Sequence, residues 1–183
     1  MEKGVFLDRD GIVNVDKGYV YQKEDFLFHK DIFELCRLFQ EKGFRIFIIT
    51  NQSGIARGYY TLDAFNALNE WMLKVFTERQ IHISKVYFCP HHPTEGLGEF
   101  RIDCQCRKPN PGMILKAGLE FHLNLNESIL VGDSKSDIQA GINAGIGYNF
   151  WVRGKPNPDM NLTSVEFFDD LAGLIVHIRD VFK

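Results

Sequence analysis

The chain has 183 residues, with 21 Lys and Arg against 24 Asp and Glu and a formal charge of −3. Such a length fits one well-cored domain, expected over 1–183, and the acidic balance argues against nucleic acid as a partner, because phosphate-backbone binders carry an excess of basic residues. No segment approaches the ~20 apolar residues that span a bilayer, and an aspartate at position 8 comes too early for a signal peptide, so a cytoplasmic protein without a membrane partner is expected.

In chain order, Val5–Leu7 predicts a first buried strand. Asp31–Lys42 predicts a helix with Ile32, Leu35, Cys36 and Phe39 on one face, stopped by Gly43. A strand follows at Phe44–Ile49. Thr61 then opens a helix running toward Arg79, with Phe65, Leu68, Met72 and Phe76 as its apolar stripe. After a strand at Val86–Phe88, residues 89–111 are long for a loop and poor in aliphatic side chains, so something other than a core must order them. Pro111 precedes a helix over Met113–Leu123, and the remaining elements are a strand at Ile129–Val131, a helix at Ser136–Ala144, a strand at Asn149–Val152 and a helix over Leu171–Phe182. Strands alternating with helices predict an α/β fold with a parallel sheet covered on both faces.

Ligands collect at the carboxyl ends of such strands. The first strand ends in Asp8-Arg9-Asp10-Gly11, the second in Thr50-Asn51-Gln52-Ser53-Gly54, and the fourth in Gly132-Asp133 with Asp137 beyond it. Asp8, Asp10 and Asp133 brought together would repel one another unless a cation lay among them, and oxygen-only ligands favour Mg²⁺. Thr50 and Lys108 supply a hydroxyl donor and a fixed positive charge for a transferring phosphoryl group, and the backbone N–H groups of Asn51, Gln52, Ser53 and Gly54 add neutral anion donors. Each feature alone has a plain structural role. Asp-x-Asp-Gly suits a turn, Asp133 a helix cap, and Lys108 a solvated surface.

The long loop carries its own chemistry. Cys89 and His91 are separated by twelve residues from Cys104 and Cys106, and three thiolates with one imidazole match a closed tetrahedral Zn²⁺ site. In an extended segment His91, and not His92, projects to the same side as Cys89. A Cys104–Cys106 disulfide is disfavoured by its geometry. Zinc would pin the stretch that leads straight into Arg107 and Lys108, which makes 89–111 a zinc loop inserted in the domain.

The order Asp-x-Asp-Gly, Thr-Asn, Lys-Pro, Gly-Asp-x-x-x-Asp resembles the haloacid dehalogenase-like hydrolases from Phe6 to about Gly145. The resemblance implies a Rossmann-like doubly wound sheet and an aspartyl-phosphate route. It makes Asp8 the nucleophile and Asp10 the general acid and then base, with Thr50 and Lys108 holding the phosphoryl group. Asp8, the Asp10 backbone carbonyl and Asp133 would bind Mg²⁺, and Asp137 would support the site from behind. Ile12 departs from the family's usual threonine, which puts one supporting hydroxyl in doubt.

Within the family, the zinc loop resembles the small, capless branch that contains the histidinol-phosphate and heptose-bisphosphate phosphatases. The runs Asn51–Gly58, Cys89–Pro93 and Cys104–Met113, with Asn14–Val20, are similar to the heptose enzymes. That implies a sugar bisphosphate substrate losing its C7 phosphate, in the synthesis of nucleotide-activated heptose for surface glycans, by a chain expected to act as a monomer. Ser134 departs from the lysine frequent in those enzymes. Arg107 is the first candidate for a second anion contact, and Arg57 another unless it only starts a helix. Asp16 could accept from sugar hydroxyls or only shape its turn, and Tyr19 could shield the site or only pack. Asn51, Gln52 and Ser53 complete the candidate substrate contacts. The alternatives are a histidinol-phosphate phosphatase or another sugar-phosphate phosphatase, a phosphoacceptor signalling domain, for which Asp10 would have no use, and a zinc-stabilised module without catalysis.

Overall fold

A computed structural model describes residues 1–156, 160 and 162–182. Among the described residues, six strands form one sheet: β1 (Lys3–Asp8), β2 (Phe44–Asn51), β3 (Ile83–Cys89), β4 (Ile129–Gly132), β5 (Tyr148–Val152) and β6 (Val165–Phe168). Their order is β3-β2-β1-β4-β5-β6, and every neighbouring pair is parallel. The direction of winding reverses between β1 and β4, the position at which an open α/β sheet opens a crevice at its strand ends.

The strands read as continuous apolar runs because both faces are covered. Val5, Leu7, Ile46, Ile48, Ile129 and Val131 belong to one core cluster, while the intervening Phe6, Phe47, Ile49 and Leu130 belong to the other. Helices α1 (Ile32–Glu41), α3 (Leu62–Glu78) and α6 (Leu171–Val181) feed the first cluster, and α4 (Gly112–Glu120) and α5 (Lys135–Ala144) the second. The short α2 (Ser53–Ala56) follows β2 immediately. This is the doubly wound Rossmann-like architecture that the alternating pattern and the family resemblance implied.

Local signals set the boundaries. Thr61 caps α3 by accepting from the Ala64 N–H, and Ser134 and Asp137 form a reciprocal capping box at the start of α5. Helix α4 ends at Glu120, short of the expected Leu123, where His122 turns to a φ of 52°. Strand β6, absent from the sequence reading, extends the sheet beyond β5 through Asn149–Val165 to Val152–Phe168 pairing.

Candidate active site

The register of the sheet brings the polar strand ends together. Asp8 lies beside Ile49 of β2, one residue before Thr50, and Leu7 lies beside Val131, two residues before Asp133. Asp8, Thr50, Asn51, Lys108, Asp133 and Ser134 line one cavity at this edge. Lys108 arrives on the segment after the cysteine loop, across a cis Lys108–Pro109 bond. The Asn51 amide receives the Lys108 N–H at 3.0 Å and donates to its carbonyl at 3.1 Å, while Asn143 of α5 holds the Pro109 carbonyl.

The lysine is 5% exposed and has its three N–H donors committed. Its Nζ donates to Asp8 Oδ1 at 2.6 Å and to the Ile49 carbonyl at 3.2 Å, and lies 2.6 Å from Asp137 Oδ1. Asp8, Asp137 and Asp133 bring carboxylate oxygens within 4.8 Å of one another. Burial first, and then the Asp137 charge, push Asp8 well above the ordinary carboxylate range despite Lys108. Burial and Asp137 likewise raise Asp133 to about 6.

Three carboxylates against one lysine leave an excess of negative charge, and hard oxygen donors at this spacing suit Mg²⁺. Asp137 has both oxygens engaged, Oδ1 with Lys108 and Oδ2 with the Ser134 N–H and hydroxyl. Asp8 Oδ2 accepts no hydrogen bond among the described residues, so Asp8 and Asp133 have oxygens to offer an ion. Gly11 lets the Asp133 carboxylate pack against the backbone that follows β1. Its φ is +103°, and a Cβ there would fall 2.0 Å from Asp133 Oδ2.

Asp10 is held by donors on every side. Arg9 Nε and NH2 bind its two oxygens at 3.1 and 3.0 Å, Asn14 donates at 3.0 Å, and Gln52 donates at 3.0 Å. Arg9 is fully buried, with its guanidinium over the Phe65 and Phe26 rings. Strand β5 supports the opposite wall. Trp151 Nε1 donates to the Asp133 carbonyl at 3.0 Å, and Arg153 NH2 reaches the Gly11 carbonyl and lies 4.0 Å from Asp133 Oδ2.

The cysteine loop converges as its spacing implied. The Cys89 and Cys104 sulfurs are 3.4 Å apart, those of Cys104 and Cys106 are 3.1 Å apart, and His91 Nδ1 lies 3.4 Å from Cys106 and 3.8 Å from Cys89. A tetrahedral ion with bonds of ~2.3 Å needs ligand atoms roughly 3.8 Å apart, so the four donors fit zinc after slight expansion. The Cys89 thiol holds the Cys106 sulfur down to about 5, and the same contact and burial push Cys89 up. His92 turns away, accepting at Nδ1 from the Glu95 N–H at 3.0 Å.

Residues 105–150 match the HAD-hydrolase-like family model. The D-glycero-alpha-D-manno-heptose-1,7-bisphosphate 7-phosphatase of Campylobacter jejuni is 54% identical over 145 residues, which is 79% of this chain and 79% of that protein. The chain belongs to the HAD-like hydrolases. The D-glycero-beta-D-manno-heptose-1,7-bisphosphate 7-phosphatase of Yersinia pestis is 46% identical over 153 residues, covering 83% of this chain and 81% of the relative. Among solved structures, the D,D-heptose 1,7-bisphosphate phosphatase of B. bronchiseptica, complexed with magnesium and phosphate, superimposes with a TM-score of 0.82 at 26% identity, over 97% of this chain and 98% of the other.

In this HAD-like hydrolase, Asp10, Asp16 and Asn51 also border a second cavity with Tyr19, Gln52 and Ser53. Asp16 accepts the Gly18 N–H at 2.8 Å, so it shapes its turn as well as facing the cavity. Tyr19 is 45% exposed and meets Tyr59 edge to face. Neither cavity is lined by Arg57 or Arg107. Arg57 pairs with Glu95 and touches His92, and Arg107 NH1 donates to the His91 carbonyl at 3.3 Å. Ile12 is fully buried in the core, where a hydroxyl would need a partner. Sequence reasoning gave no role to Arg9, Tyr60, Trp151 and Arg153, and quoted Asn14 only as the start of a run, yet all five hold site residues.

Proposed function

We propose that this chain is a Mg²⁺-dependent phosphatase that removes the C7 phosphate of D-glycero-D-manno-heptose 1,7-bisphosphate through an aspartyl-phosphate on Asp8. The observation that carries the chemistry is the buried Lys108 between Asp8 and Asp137, at a strand-end cavity that also holds Thr50, Asp10 and Asp133. The named activity of the relatives supports the substrate. Structural zinc in the Cys89, His91, Cys104 and Cys106 cluster supports the Lys108 segment. All of these groups come from one chain, in keeping with a monomer whose residues 1–183 form one domain. No helix among the described residues is long and apolar enough to cross a membrane. A cytoplasmic place in nucleotide-activated heptose synthesis completes the reading.

The Asp8 carboxylate, through the oxygen that does not bind the ion, attacks phosphorus as the bond from phosphorus to the C7 oxygen breaks, and Asp10 in its protonated form gives that oxygen its proton. Asp10, now a carboxylate, takes a proton from water. The resulting hydroxide oxygen bonds to phosphorus, the P–O bond of the Asp8 acyl phosphate breaks to return the carboxylate, and phosphate leaves. Thr50 donates to an equatorial oxygen, and Lys108 stabilises the others by its charge and by the N–H that leaves Asp8 Oδ1 as the phosphoryl group arrives. Mg²⁺ held by Asp8 and Asp133 supplies the charge neutralisation that lets an anionic nucleophile meet a phosphate. Arg107 is the proposed contact for the second phosphate, which would then lie outside the two cavities, on the His91 side of the Lys108 segment. Steady-state phosphate release from the alpha and beta heptose bisphosphates and from histidinol phosphate tests the reading. Clear preference for a heptose bisphosphate is expected, and equal rates on all three esters would overturn the substrate assignment.

A further inference from the structure

Gln52 borders the second cavity, yet it is 2% exposed and both ends of its amide are occupied. Tyr60 donates its hydroxyl to Gln52 Oε1 at 2.5 Å. Gln52 Nε2 donates to Thr50 Oγ1 at 2.7 Å and to Asp10 Oδ2 at 3.0 Å. An amide nitrogen has two protons, so both are spent. Tyr60 is itself fixed, stacked on Tyr21 at 5.0 Å and pressed by the Gly54 backbone, where a Cβ would lie 2.1 Å from its ring. Burial raises the phenol to about 12, which keeps it a donor at neutral pH.

Donor counting then sets the direction of the Thr50 hydroxyl. Its oxygen already accepts from Gln52, and among the described residues its proton has no acceptor on this chain, so that proton is left for a group in the cavity. The same amide fills one of the four acceptor positions that the Asp10 carboxylate offers. We propose that Gln52, clamped by Tyr60, is a positioning residue: it fixes Thr50 as a donor to the phosphoryl group and holds Asp10 in place, without itself contacting substrate. The assignment rests on the phosphatase reading above. It also replaces the substrate-contact role expected for the Gln52 side chain.

Phosphate release by the zinc-loaded, full-length chain at saturating Mg²⁺ tests this with wild type, Gln52→Met, Tyr60→Phe and the double variant. Heptose bisphosphate and p-nitrophenyl phosphate serve as parallel substrates. Loss of a hydrogen bond to a charged or reacting group predicts a kcat about 10- to 100-fold lower for Gln52→Met, with KM within about twofold on both esters. Tyr60→Phe, which keeps the ring stack, lowers kcat by about 3- to 10-fold, and the double variant matches Gln52→Met because the hydroxyl acts only through the amide. Unchanged kcat with a raised KM in Gln52→Met would overturn the assignment in favour of direct substrate contact. Multiplying effects in the double variant would also overturn it. A wild type that turns over neither ester would overturn the phosphatase reading, and this assignment with it.

Discussion

Replacing Lys108 by methionine keeps the volume of the side chain and removes its charge and all three donors. Two buried carboxylates, Asp8 and Asp137, lose partners at 2.6 Å, and the Ile49 carbonyl loses one at 3.2 Å. Breaking a buried ion pair by deleting one member costs about 3–5 kcal/mol. The raised Asp8 offsets part of that cost, because it can take a proton in place of the lost cation. For a chain of this size each kcal/mol moves the melting temperature by roughly 2–4 °C, so a fall of about 6–15 °C is expected by calorimetry. Turnover suffers more than stability. Loss of a preorganised charge at the transferring group lowers kcat by roughly 10²–10³ or more. A Lys108→Met chain that melts with wild type and keeps kcat within threefold would refute the reasoning that the lysine serves both the fold and the reaction.

Zinc and pH provide further tests. Cys106→Ser, or prolonged chelation, removes a ligand one residue before Arg107 and two before Lys108, so zinc content falls below one per chain and kcat drops by about tenfold or more while the sheet core stays folded by circular dichroism. Full turnover in a chain shown to be zinc-free would contradict that link. Asp133 holds its proton up to about 6 in the folded chain, against an ordinary value of 3.8, so the stability it contributes is complete below the ordinary value and lost as pH rises through 6. In magnesium-free buffer the melting temperature of wild type relative to Asp133→Asn is therefore expected to fall by about 2–6 °C between pH 4 and pH 7, with Mg²⁺ reversing the fall. A difference that stays flat with pH would show that Asp133 titrates normally.

Asp8, Thr50 and Asp133 were legible because each ends an apolar run, and a parallel sheet must deliver such ends to one edge. The convergence of Cys89, His91, Cys104 and Cys106 was legible from spacing, since close pairs of metal-ligating side chains on one loop have few other uses. Lys108 was legible as a fixed positive charge that closes the cysteine loop, but its partners were not. Its place between Asp8 and Asp137 depends on Asn51, which grips the lysine backbone from 57 positions away. Arg9 drew no role from the sequence, because its burial against Phe26 and Phe65 and its bidentate hold on Asp10 are set by the fold. Gln52 was read as a substrate contact because it stands in the Asn51–Gly58 run at the end of β2, and nothing in the sequence signals that Tyr60, Thr50 and Asp10 occupy its amide. Strand β6 escaped notice because three half-buried residues and the exposed Glu166, against one neighbouring strand, leave no strong periodic signal.

The claim beneath all of this is that carboxylates from the ends of β1 and β4 share one divalent ion. Anomalous diffraction from crystals of the zinc-loaded chain soaked in Mn²⁺, recorded above and below the manganese edge, tests it most directly. One manganese peak bonded to both Asp8 and Asp133 at about 2.1–2.3 Å is the expected result. Density for manganese elsewhere with none between these two carboxylates would contradict the account.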